Sequence, residues 1–112
     1  MAELVILPPA QQELEEIALV HLHLSGPDSA RKITDLIYDT LGRLERFPLS
    51  GHPARDRWLA KAGYRIVIAG KYIAVYRFLK REDRVYVYHI AHGSKEYPAL
   101  LKRLLKEKET ER

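Results

Sequence analysis

With 112 residues, 46% hydrophobic and 30% charged, the chain is long enough for one compact domain, residues 1–112, and too short for two. It has no cysteine, which excludes a disulfide framework and a thiolate metal site and leaves nothing dependent on an oxidising compartment. The 19 Lys and Arg against 15 Asp and Glu give a net charge of +4, an excess that favours an anionic partner, either nucleic acid or an acidic protein segment.

The first apolar run, Leu4 to Leu7, is ended by Pro8-Pro9 and reads as a short strand, since proline cannot continue a ladder. It is too short, and lacks the basic flank, for a signal peptide or a membrane span, so a cytoplasmic location is expected. From Ala10 the apolar positions Ala10, Leu14, Ile17, Ala18 and His21 or Leu22 recur at helical spacing, with Pro9 suited to the first turn. Ser25-Gly26-Pro27 stops this helix. A second helix is expected from Asp28 or Ser29, either of which can cap it, with Ala30, Ile33, Ile37, Leu41, Leu44 and Phe47 on one stripe and Pro48 at its end. Two helices joined so tightly pack as an antiparallel hairpin, and their wide apolar stripes require a sheet beneath them.

Residues 49–57 have no periodicity and are rich in Gly, Pro and charge, which predicts a surface loop, with Trp58-Leu59 returning to the core. Three runs rich in Val, Ile and Tyr follow: Tyr64 to Ile68, Tyr72 to Phe78 and Val85 to His92. Separated by Ala69-Gly70-Lys71 and by the charged Lys80 to Arg84, they predict consecutive strands of an antiparallel meander. Pro98 opens a last amphipathic helix over 99–106, carrying Leu100, Leu101, Leu104 and Leu105, with a frayed tail to Arg112. The fold class is α+β in the order β-α-α-β-β-β-α, a helical hairpin packed on a small, mostly antiparallel sheet.

Charge is distributed unevenly along this order. Glu13, Glu15 and Glu16 sit in the first helix, whereas Arg43, Arg46, Arg55, Arg57, Lys61, Arg65, Lys71 and Arg77 fall in the loop and sheet region. Arg55, Arg57, Lys61, Lys71 and Arg77 are the candidates for contact with a phosphate backbone. Arg77 also leads into the charged turn, where solvation explains it. The many tyrosines need no base stacking, because β propensity accounts for them. No metal or cofactor site is expected: His21 and His23 are two apart on a helix, and His89 and His92 fall on opposite faces of a strand.

The succession Val5-Ile6-Leu7-Pro8-Pro9-Ala10, Leu44-Glu45-Arg46-Phe47-Pro48 with Gly51-His52-Pro53, Tyr64-Arg65-Ile66-Val67, Tyr72 to Arg77 and Ile90-Ala91-His92-Gly93-Ser94-Lys95-Glu96-Tyr97 resembles the RelE/ParE superfamily. These are toxins of bacterial type II toxin–antitoxin systems, some labelled plasmid stabilisation proteins. The resemblance covers nearly the whole chain. It implies a small α/β toxin neutralised by a cognate antitoxin that wraps it, and one of two targets. RelE-like members cut mRNA in the ribosome, whereas ParE-like members block DNA gyrase.

Ribosome-dependent cleavage is the first expectation and gyrase inhibition the alternative, with a non-catalytic protein-binding member as a third reading. Cleavage requires a base for the 2′-OH, a cation for the phosphorane and an acid for the leaving 5′-oxygen. By resemblance the catalytic candidates are Arg65, His92, Lys95 and Tyr97, with imidazole able to act as base or acid near neutrality. Strand alternation places Arg65 opposite Tyr64, Ile66 and Ile68, projecting away from the main apolar row. Its other reading is a solvated charge or the partner of a helix carboxylate. His92 can equally close a turn beside Gly93, and Lys95 and Tyr97 can serve capping and packing. One position departs from the RelE pattern: Ile73 follows Tyr72 where that toxin carries an arginine.

Overall fold

The computed structural model describes residues 1–93 together with 102–104 and 106. Strand β1 (Glu3–Ile6) leads into helices α1 (Pro8–Ser25) and α2 (Pro27–Gly42), then a 3-10 turn (Arg43–Glu45). After a loop come β2 (His52–Pro53), helix α3 (Arg57–Lys61) and the meander β3 (Tyr64–Ala69), β4 (Tyr72–Leu79) and β5 (Arg84–His92). The sheet order is β1-β5-β4-β3-β2, with β1 parallel to β5 and every other pair antiparallel. The α+β class and the meander are as the sequence pattern predicts; β2 and α3 are additions to it.

Each departure has a local cause. Gly26, at φ 91°, serves both helices: its N–H donates to the Leu22 carbonyl and its own carbonyl accepts from Ala30 N. That left-handed backbone suits glycine. Pro27 therefore occupies the first turn of α2, and neither Asp28 nor Ser29 is the cap. Helix α2 stops at Gly42, so the expected stripe holds through Ile37, Leu41 and Leu44, all buried, but not to Phe47, which is 63% exposed. In the expected loop, Asp56 caps α3 by accepting the Leu59 N–H at 3.0 Å, and Leu59 is fully buried while Trp58 keeps 39% of its surface exposed.

Both faces of the sheet are covered. Helices α1 and α2 bury Ala10, Leu14, Ile37 and Leu41 against Ala74, Tyr76, Val85, Val87 and Ile90. Each of the larger aliphatic side chains contributes about 1.5–3 kcal/mol through burial. On the other face, Leu59 of α3 and Leu104 pack on Tyr64, Ile66, Ile73, Val75 and Ala91. A bulge carries this two-sided burial along β5. Val75 pairs with His89 but Tyr76 pairs with Val87, so the register skips Tyr88 and places Val85, Val87 and Ile90 on the same helix-facing side. Of the expected last helix, residues 102–104 and 106 are helical; the rest of it lies outside the described residues.

Candidate functional site

Two groups of polar side chains stand at opposite ends of the helix-facing side of the sheet. The first exists because β1 is short. Its last ladder bond runs from Leu7 N to Val87 O, and Pro8 then turns the chain into α1. Further along β5, Glu13 of α1 supplies what a strand would have supplied. Its Oε1 accepts from Ile90 N at 3.1 Å and lies 3.1 Å from His89 Nδ1, while Oε2 accepts from Arg103 Nη1 at 3.2 Å.

Beside this carboxylate opens a cleft of about 470 Å³ between α1 and the end of the β4–β5 ladder, lined by Glu13, Glu16, Val20, Tyr72, His92 and Arg103. Tyr72 and His92 are cross-strand partners with their rings edge to face, centroids 5.7 Å apart. From the helix side His21 Nε2 lies 3.0 Å from the Tyr72 hydroxyl, and its Nδ1 lies 3.3 Å from Ser29 Oγ. The cleft thus holds an imidazole, an oriented phenol, a guanidinium and carboxylates, a set able to bind and to move protons.

The second group surrounds Arg65. It pairs with Tyr76 across β3 and β4, on the helix-facing side, and its Nη1 donates to the carbonyls of Leu49 and Gly51 at 3.1 and 2.7 Å. The guanidinium therefore ties down the loop before β2 rather than projecting clear of the sheet. The Tyr76 hydroxyl accepts the Gly51 N–H at 2.9 Å. Burial pushes that phenol above its ordinary pKa, partly offset by the Gly51 bond and the nearby Arg65.

The remaining predicted residues are dispersed. Arg77 lies on the opposite side of the sheet, its guanidinium 5.0 Å from the Tyr64 ring centre and bonded through Nε and Nη2 to the Tyr88 hydroxyl at 3.1 and 2.8 Å. Such stacking on aromatic faces is a structural use of arginine. Arg55, Arg57, Lys61 and Lys71 are exposed. Lys95 and Tyr97 lie outside the described residues.

The register separates Arg65 from His92: one stands opposite Tyr76, the other opposite Tyr72, on strands two apart. Strand rise and spacing put their Cα atoms about 16 Å apart. The sequence pattern groups these two, whereas the structure gathers Glu13, Tyr72 and His21, none of them among its candidates, around the cleft at His92. The signal for Glu13 was available: it lies three residues after Ala10 and four before Ile17, on the inward side of α1.

A helical hairpin over one face of a mixed sheet, with a third helix on the other, defines a RelE/ParE-type toxin fold. It is similar to the chromosomal ParDE toxin–antitoxin system of Pseudomonas aeruginosa, with TM-score 0.68 and 21% identity, covering 82% of this chain and 96% of that one. It is also similar to the toxin–antitoxin complex RelBE2 from Mycobacterium tuberculosis, with TM-score 0.61 and 22% identity, covering 81% and 96%. No curated protein sequence matches significantly. The family model described as ParE toxin of type II toxin-antitoxin system, parDE, matches residues 4–97, and the chain belongs to that family. No described helix is long and apolar enough to cross a membrane.

Proposed function

We propose that this chain is held inactive by a cognate antitoxin and that it acts by blocking a protein target, DNA gyrase, without cutting RNA. The antitoxin follows from the family and from the toxin–antitoxin systems among its structural neighbours. The observation that carries the choice of target is the placement of Arg65. Its Nη1 bonds two loop carbonyls, about 16 Å of sheet away from His92, so the cation and the acid or base of an RNA-cleaving set do not converge. Ile73, where RelE has an arginine, is buried against Leu59, Val75 and Leu104 on the other face. Either target places the protein's work in the cytoplasm.

A second reading, ribosome-dependent mRNA cleavage, is favoured by the cleft at His92. There the imidazole would serve as base, Arg103 would face the phosphorane and Tyr72 would donate to the leaving oxygen. Lys95 and Tyr97 follow His92 in sequence and belong to this reading, with Arg55, Arg57, Lys61 and Lys71 as its phosphate contacts; Arg77, bonded to Tyr88 on the far side of the sheet, stands apart from them.

Two assays on the same purified protein decide between them. Loss of DNA supercoiling by gyrase, with a translated reporter mRNA intact by primer extension, is the expected result. Ribosome-dependent cuts with unimpaired gyrase would replace it with the second reading.

A further inference from the structure

The loop that Arg65 and Tyr76 tie down displays two of the most exposed large apolar side chains of the described residues, Phe47 at 63% and Leu49 at 59%. The backbone of this loop is pinned at each step. Phe47 N donates to Arg43 O, Ser50 N to Phe47 O, Arg65 to the Leu49 and Gly51 carbonyls, and Gly51 N to the Tyr76 hydroxyl beneath. Gly51 itself leaves no room for adjustment, since a Cβ there would lie 2.6 Å from the Tyr76 hydroxyl and 2.8 Å from the Ile66 carbonyl. The fold holds an apolar pair in solvent on a fixed support, which lowers the ordering cost of any partner that covers it.

The surroundings of the pair give the sign of that partner. Arg43 and Arg46 are exposed on the approach to the loop and Arg65 is bonded to its carbonyls, while Glu45 is the one acid in residues 43–51. An apolar centre with a basic rim fits an acidic protein segment that carries apolar side chains. Single-stranded nucleic acid would satisfy the arginines and could stack on Phe47, but Leu49, nearly as exposed, gains nothing from a base face and much from an apolar neighbour.

We infer that the loop Arg46 to Gly51 is a preformed docking site for an acidic, apolar-bearing protein segment, with Phe47 and Leu49 as the anchors and Arg65 as the residue that positions them. The inference holds whichever target the toxin has.

Isotope-labelled full chain is titrated with three probes: a synthetic peptide alternating Asp or Glu with Leu and Phe, the same peptide with Lys for its acids, and an oligouridylate. The acidic peptide is expected to shift the amides of Phe47, Leu49, Ser50 and Gly51, whereas the lysine peptide does not. Affinity should fall about tenfold or more in Phe47→Ser/Leu49→Ser, from the lost apolar contact. Both side chains point into solvent, so this variant should melt like the parent. In Arg65→Gln the site should weaken while the Phe47 and Leu49 side chains remain, the mark of a positioning role. No shift of these amides at millimolar peptide, equal binding by the double variant, or oligouridylate displacing the peptide from the loop would each overturn the inference.

Discussion

The hydroxyl of Tyr76, on a side chain with no exposed surface, accepts the backbone N–H of Gly51 at 2.9 Å, and the glycine fits against the ring only because it has no side chain. Removing the hydroxyl in Tyr76→Phe leaves a buried donor unsatisfied, a cost of about 1–3 kcal/mol. Adding a methyl in Gly51→Ala forces the loop off both Tyr76 and the Ile66 carbonyl, at a cost of about 1–3 kcal/mol or more. Urea midpoints of both variants should fall with unchanged slopes, and the two losses should not add in the double variant, because they break the same contact.

The same phenol makes stability depend on alkaline pH. Its folded pKa is raised above the ordinary tyrosine value, chiefly by burial. Above pH 10 the unfolded chain therefore releases this proton before the folded one does, fewer protons are bound in the unfolded state, and stability falls as pH rises. Below pH 10 the two states hold the proton alike and the contribution is complete. Melts taken from pH 9 to pH 11 should lose more in the parent than in Tyr76→Phe, which lacks the group; parallel losses would assign the alkaline decline to other side chains.

Glu13 ties α1 to two other parts of the chain through one carboxylate: β5 by the Ile90 N–H and His89, and the C-terminal segment by Arg103. Glu13→Ala should destabilise by roughly 2–3 kcal/mol, since a strand-edge donor loses its acceptor and two basic groups lose a charged partner. Arg103 is about half exposed, so Arg103→Ala should cost far less, within about 1 kcal/mol. Hydrogen exchange at the Ile90 amide distinguishes the two: faster in Glu13→Ala and little changed in Arg103→Ala.

What the sequence disclosed follows from which interactions are local. The meander and helical hairpin rest on alternation within β3, β4 and β5 and on the stripe through Ile37, Leu41 and Leu44, all readable within one turn or one strand. Gly26-Pro27 marked the break between helices, and its positive φ explains why no polar cap was needed. Strand β2 is two residues long and α3 five, too short to leave a period; Asp56 three residues before Leu59 was the available trace of the helix. The site was less legible because its neighbours are distant in sequence. Arg65 meets Leu49 and Gly51 only through the turn into β2, and Glu13 meets Ile90 across 77 positions. A family pattern names residues but not their hydrogen bonds; those of Arg65 run to the Leu49 and Gly51 carbonyls.

The sharpest functional contrast is between Arg65 and His92. On the gyrase reading His92 is a cleft-lining side chain remote from the docking loop, so His92→Ala should leave growth arrest on induction intact and gyrase inhibition within about twofold of the parent. On that reading, with the docking loop as the surface that meets gyrase, Arg65→Ala should weaken both, because the loop carrying Phe47 and Leu49 loses the two bonds made by Nη1, and Arg65→Lys should recover only part, since an ammonium lacks the planar fork. Growth after induction and a supercoiling titration on the same variants measure this. Full loss of toxicity in His92→Ala, with a circular dichroism melt like the parent's, would move the active centre to the cleft of Tyr72, His92 and Arg103 and with it the target to RNA.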